Sequence, residues 1–242
     1  MNVKRRIEEL GFESTPLGEL TLRRRTDPLL GGREIFEVKL GDEYLMSSVF
    51  TESERQLARL GLGPLGSDLD VVVGGLGLGY TAQAALENEQ VRRLLVIDLF
   101  EAVIEWHRTG VVPIGDVLER DARCEMRQGD FFELAQSGFD AAAPGRRFDA
   151  VLLDIDHSPE HFLGPASRSF YTAEGLTAVA EQLKPGGVFA MWSDDPADES
   201  RTDRFLLLLR QVFGTAEVHG ITFPNPYTNA VSANSVYIAR RT

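Results

Sequence analysis

The spacing of apolar and polar residues changes character near residue 65. Upstream, residues 20–23 and 35–40 alternate apolar and polar side chains, the period of a strand with one buried face. Gly41-Asp42 makes a turn into residues 43–46, so this part reads as a small N-terminal antiparallel β-unit. Thr51-Glu52-Ser53-Glu54 has the spacing of a capping box and opens a helix that ends near Gly61 or Gly63. The run Leu62-Gly63-Pro64-Leu65-Gly66-Ser67 is a linker, and the chain divides into residues 1–65 and 66–242.

Downstream, short apolar runs at 69–74, 91–98, 123–128, 148–155 and 186–193 alternate with helical patterns. The helices fall at 80–88, 99–108, 130–136, 172–183 and 198–213. Such alternation predicts an α/β domain with a Rossmann-like, doubly wound, mostly parallel sheet. Residues 215–223 and 233–240 are strands joined by a Pro/Asn-rich loop too short for a helical crossover, so a C-terminal antiparallel hairpin closes one sheet edge.

Composition narrows the function. Apolar residues make up 43% of the 242, enough for a true core. A formal charge of −12 argues against a nucleic-acid surface and leaves room for an acidic pocket suited to a cationic substrate. Cys124 is the single cysteine, which excludes an intrachain disulfide and a cysteine zinc cluster. The charged start lacks a following apolar stretch, and no run approaches the ~18 apolar residues of a membrane span. The cytoplasm is the expected compartment, with no membrane partner.

Candidate chemistry gathers at the predicted strand ends. Val71-Val72-Val73 runs into Gly74, Gly75, Gly77 and Gly79 ahead of a helix. Glycines at such a turn let the backbone close tightly and approach a nucleotide-shaped ligand. Asp98 ends the second strand, where a carboxylate accepts ribose hydroxyls or caps the next helix. After the third strand, Asp130 can accept from an exocyclic amine or cap a helix, and Phe131 can cover an adenine ring or fill the core. The fourth strand ends in Asp154 and Asp156, which project to one side while the strand persists. Paired carboxylates hold an ammonium, or raise one pKa into a base role. Asp194 and Asp195 end the fifth strand likewise, making the crevice acidic. His157 and His161 are four apart, but Pro159 and Gly164 make this a loop, so no metal is expected.

Together these motifs resemble the spermidine synthase group of polyamine aminopropyltransferases, within the class I S-adenosylmethionine-dependent methyltransferase superfamily. The likeness rests on Gly41-Asp42-Glu43-Tyr44, the glycine turn, Val96-Ile97-Asp98, Gly129-Asp130, the loop ending in Gly164-Pro165-Ala166, and Leu183-Lys184-Pro185-Gly186-Gly187. It implies S-adenosylmethionine or its decarboxylated form as cofactor, a small-molecule amine substrate, and assembly as a homodimer or tetramer. Four places depart from the family pattern. Leu76 stands where the glycine motif carries an aspartate, and Val96 where a glutamate precedes Asp98. Ser47-Ser48-Val49-Phe50 replaces Tyr-His-Glu, and Asp154-Ile155-Asp156-His157-Ser158-Pro159 replaces an Asp-Ser-Ser-Asp-Pro gate.

These departures direct the first expectation to methyl transfer onto a small cationic or amine acceptor. Asp154 is then the base or orienter, and His157 can share that role. Asp156, Asp194 and Asp195 hold the amine, and Tyr171 forms a wall or donates a hydroxyl. Aminopropyl transfer from decarboxylated S-adenosylmethionine is the alternative, and a non-catalytic cofactor-binding homologue the second. A basic group or a nest of free amides facing the cofactor tail marks methyl transfer; a carboxylate there marks aminopropyl transfer.

Overall fold

The computed structural model describes residues 6–155, 158–161, 167–195 and 199–242, the side chains of 199–203 aside. The chain first builds a four-stranded antiparallel sheet from β1 (Arg6–Thr15), β2 (Gly18–Asp27), β3 (Arg33–Leu40) and β4 (Glu43–Ser47). The sequence pattern does not show β1. Its RIEELGFEST has no clean alternation, it is mostly unburied, and its register slips at a bulge between Glu9 and Gly11.

Helix α1 (Glu52–Leu62) follows, but the expected capping box is not formed: Thr51 makes no side-chain cap hydrogen bond. The helix packs on the larger sheet through Gly61, where a Cβ would lie 2.7 Å from Leu152 and 3.0 Å from Ala190. A larger side chain there would force helix and sheet apart.

The larger sheet contains β5 (Leu69–Gly74), β6 (Val91–Asp98), β7 (Cys124–Gln128), β8 (Phe148–Leu153), β9 (Leu183–Ser193), β10 (Gly214–Asn225) and β11 (Ala230–Arg241). Their order is β10-β11-β9-β8-β5-β6-β7. The strands β5 to β9 pair in parallel, and the hairpin β10–β11 adds to β9 antiparallel, as the sequence predicts. From β5 the chain steps outward to β6 and β7, then returns to β8 on the other side. That reversal opens a crevice beyond the carboxyl ends of β5 and β8.

Connecting helices cover both faces: α2 (Tyr80–Leu86), α3 (Glu101–Arg108), α4 (Gly115–Arg120), α5 (Phe131–Ser137), α6 (Ser167–Phe170), α7 (Ala173–Gln182) and α8 (Glu199–Phe213). The short α4 and α6 lack a periodic signature in sequence. One strand correction bears on the site. Strand β8 stops at Leu153, before Asp154, so strand alternation no longer places Asp154 and Asp156 on one side. Asp156 and His157 lie outside the described residues.

Each central strand divides its side chains between two cores. Val71, Val73, Leu94, Val96, Ala150, Leu152, Val188 and Ala190 face one. Val72, Leu95, Ile97, Val151, Leu153, Phe189 and Met191 face the other. Burial on both faces explains why the strands read as apolar runs. The second core is rich in rings: Phe170 sits 5.2 Å from Phe132 and 5.8 Å from Phe131, and Phe189 stacks on Phe213 at 5.4 Å. No helix among the described residues is long and apolar enough to cross a membrane.

Phe170 is fully covered at the centre of this ring cluster. Phe170→Ala should lower stability by about 3–5 kcal/mol. Urea denaturation checks this, with a lower midpoint and an unchanged slope.

Candidate active site

Beyond the ends of β5 and β8 lies a cleft of ≈ 1520 Å³, roofed by the N-terminal sheet and the tip of the β10–β11 hairpin. Its inner end is the glycine turn. Gly75, Gly77 and Gly79 have φ of 92°, 50° and 87°, a region open chiefly to glycine. At Gly75 a Cβ would also lie 2.1 Å from the carbonyl oxygen of Asp154. At Gly74 it would lie 2.4 Å from the ring of Phe131, which is buried beneath the strand end and also reaches the cleft.

The amides of this turn are largely committed. Gly75 N–H donates to Ile97 O at 2.8 Å, Gly79 N–H to Leu76 O at 2.6 Å, and Leu78 N–H to the Met46 sulfur at 3.1 Å. Leu76 N–H donates to Asp98 Oδ2 at 2.9 Å, while Phe100 N–H donates to Oδ1 at 2.9 Å. Asp98 is therefore the brace between the turn and the start of α3. It does not cap that helix, because Phe100 occupies the cap position. Burial raises the Asp98 pKa, and the amides of Phe100, Leu76 and Gly77 oppose the shift. Asp130 caps α5, accepting from Phe132 N–H at 2.8 Å and Glu133 N–H at 3.4 Å, and lines the cleft.

The middle of the cleft holds Asp154 and Glu54, with Thr81 buried behind Asp154. Asp154 N–H donates to Gly74 O at 2.8 Å, and Thr81 Oγ1 donates to Asp154 Oδ2 at 2.6 Å. Glu54 faces them from α1. Burial raises both carboxyl pKa values, and the Asp154 charge raises Glu54 further; Thr81 partly offsets the shift at Asp154. The two acids thus resist holding two negative charges together. Sequence does not mark Glu54 or Thr81, since each lies in a helix: packing brings Glu54 to the cleft and Thr81 to Asp154. The capping-box spacing assigns Glu54 a different task.

The outer end joins sheet and hairpin. Arg25 Nε donates to Glu37 Oε1 at 2.7 Å and Arg25 Nη2 to the Tyr227 hydroxyl at 2.8 Å. The Tyr227 hydroxyl donates to Asp27 Oδ2 at 2.9 Å. This cluster spans the whole sequence, so local patterns carry no sign of it.

Other expected residues lie elsewhere. Tyr171 packs among Phe132, Phe170 and Phe205 and does not line the cleft. Asp194 and Asp195 are tied to β11 by their carbonyls, which accept from Asn234 and Ser235, and neither lines the cleft. His107 is buried beneath the turn, with a pKa lowered by burial. His161 pairs with Ser158. Among the described residues no group of three or more acids, histidines or cysteines is placed to hold a metal ion.

No protein-family model matches the chain. In sequence it is similar to the polyamine aminopropyltransferase of Nitrosomonas europaea, 32% identical over 145 residues covering 60% of this chain and 41% of that one. That of Aeropyrum pernix is 26% identical over 172 residues, covering 66% and 49%. The matched stretch spans less than half the length of either relative. Structural likeness covers far more. The fold of Thermotoga maritima spermidine synthase matches 97% of this chain and 73% of that one, with a TM-score of 0.74 and 18% identity. A spermidine synthase in complex with the transition state analogue AdoDATO matches 97% and 74%, at TM-score 0.75 and 18% identity. The chain shares the fold of these spermidine synthases. That fold places the glycine turn and Asp154 where strand order reverses, the usual ligand crevice of such sheets.

Because burial raises Glu54 in the folded state, the native protein binds more protons than the unfolded chain between the ordinary carboxyl range and about pH 8. The stability tied to a protonated Glu54 is present below its unfolded pKa and lost as pH rises through the folded value. Glu54→Gln should therefore gain melting temperature relative to the parent as pH is raised from about 5 to about 9. Calorimetric scans across that range check the sign; parallel curves would separate Glu54 from the buried pair.

Proposed function

We propose that this chain transfers an aminopropyl group from decarboxylated S-adenosylmethionine to a small amine. One observation carries the choice over methyl transfer: the charge of the cleft. Its described lining holds eight carboxylates (Glu13, Asp27, Glu37, Glu54, Asp98, Glu101, Asp130 and Asp154), while Arg25 is its single cation. Arg25 is already bound to Glu37 and Asp27. S-adenosylmethionine carries a carboxylate that needs a cation or free amides, and the amides at 75, 76, 78 and 79 are engaged. The decarboxylated donor lacks that carboxylate and keeps the ammonium, which Glu54 and Asp154 suit. The similarity to polyamine aminopropyltransferases supports the same reading. Methyl transfer, the first expectation from sequence, yields to it.

In the reaction, the acceptor nitrogen forms a C–N bond to the propyl carbon on the sulfonium. The S–C bond breaks, its electron pair passes to sulfur, and neutral methylthioadenosine leaves. The proton shed by nitrogen passes to Asp154 and on to water. Asp154 suits this work because its raised pKa sits closer to neutrality than that of an exposed aspartate. Leu76, buried and without a polar side chain, makes no hydrogen bond to the donor tail, so Glu54 and Asp154 take that part.

Calorimetric titration should show the decarboxylated donor binding at least about tenfold tighter than S-adenosylmethionine. Tighter binding of S-adenosylmethionine would return the assignment to methyl transfer. Asp154→Asn should lose turnover on the order of a hundredfold, with a smaller loss of donor affinity because Glu54 remains. Undiminished turnover removes Asp154 from proton transfer, and donor binding without release of methylthioadenosine over a broad amine panel marks a non-catalytic homologue.

A further inference from the structure

Within the aminopropyl-transfer reading, on which this step rests, we infer that Thr81 is a positioning residue for Asp154. Its hydroxyl holds Oδ2 of the base and leaves Oδ1 to the amines in the cleft.

Thr81 lies in the first turn of α2 and is 3% exposed, so it acts only through its neighbour. Its hydroxyl has one proton to give and two acceptors within reach. Asp154 Oδ2 stands at 2.6 Å and the backbone carbonyl oxygen of Glu54 at 3.4 Å. The shorter contact takes the proton, at the length of a hydroxyl on an ionised carboxylate. A β-branched side chain in a helix has few rotamers, and burial keeps water from replacing its hydroxyl. The helix itself is fixed against α1: Arg55 donates to Gln83 Oε1 at 3.0 Å and pairs with Glu87 at 3.1 Å.

Asp154 is thereby held at both ends. Its N–H donates to Gly74 O at 2.8 Å, and its Oδ2 accepts from Thr81. Asp154 lines the cleft, and its Oδ1 accepts from no described residue. The two lone pairs of Oδ1 serve the donor ammonium and the acceptor nitrogen. Burial opposes the charged form of Asp154, and the Thr81 hydroxyl favours it. The surrounding charges do not replace that support. Glu54 faces Asp154 from α1, where Arg55 and Glu52 act on Glu54 in opposite senses, and Tyr80 of α2 feels the Glu54 charge. Asp98, at the end of β6, is turned to backbone amides.

Thr81→Val keeps the shape of the side chain and removes the hydroxyl, whereas Thr81→Ser keeps the hydroxyl. The test reads methylthioadenosine release from the decarboxylated donor with 1,4-diaminobutane and with n-butylamine, from about pH 5 to about pH 8.5. Losing a hydrogen bond to a charged group moves a titration by about one pH unit. Thr81→Val should therefore lose about tenfold more kcat/KM at the acid end than at the alkaline end, and Thr81→Ser should follow the parent. Deprotonation of the acceptor is common to all three proteins and cancels. An equal loss at both ends, or a serine variant no better than the valine one, overturns the inference and leaves aminopropyl transfer standing. No release by the parent with either amine overturns the transfer reading, and melting curves then decide the contact. Without the hydroxyl the folded Asp154 holds its proton to higher pH, so the melting deficit of Thr81→Val against the parent should widen as pH rises. Parallel curves overturn the inference. Thr81→Ala removes the same hydroxyl and carries both tests if Thr81→Val does not fold.

Discussion

A single backbone contact fixes the chemistry of this protein: Asp154 N–H on Gly74 O, with the Asp154 carbonyl pressed where a Cβ on Gly75 would stand. It joins the end of β8 to the end of β5 at the point where strand order reverses. The glycine turn and the carboxylate proposed as base therefore move as one body. Both cores brace the junction, because Val73 and Leu152 lie in one and Val72 and Leu153 in the other. Displacement of either strand would have to disturb close packing on two faces.

The charges in the cleft are ordered by this frame. Near the turn, Asp98 is spent on backbone amides and acts as a brace. In the middle, Glu54 and Asp154 are raised by burial, and Glu54 further by the Asp154 charge, so the two differ in basicity. At the outer end, the guanidiniums of Arg23 and Arg25 already neutralise Glu37 and Asp27. A count of acidic residues would treat the cleft's carboxylates alike, whereas hydrogen bonding and ion pairing set Asp98, Asp27 and Glu37 apart from Glu54 and Asp154.

The sequence exposed the larger sheet well because strands buried on both faces carry an uninterrupted apolar signal. The glycine turn, Asp98, Asp130 and Asp154 were legible for a related reason: ligand-facing groups of such sheets fall directly after those runs. What was hidden depends on contacts distant in sequence. Strand β1 carries its few apolar residues on no regular period and finds its place by pairing with β2 and by laying Gly11 against Trp106. Glu54 and Thr81 sit in helices whose orientation is set by the sheet beneath. Asp194 and Asp195 follow a strand end as Asp154 does, yet β9 is flanked by β11, whose side chains hold their carbonyls. Strand-end position located the crevice; topology decided which strand ends open into it.

The hydrogen bond between Tyr227 and Asp27 connects residues 200 positions apart. By contrast, the glycine turn, its brace and Asp154 are all contained between residues 74 and 154. During synthesis the segments for the inner end of the cleft emerge well before the hairpin that walls its outer end. The outer wall can close only after Tyr227 has left the ribosome, so a nascent chain forms the floor of the crevice before the wall that completes it.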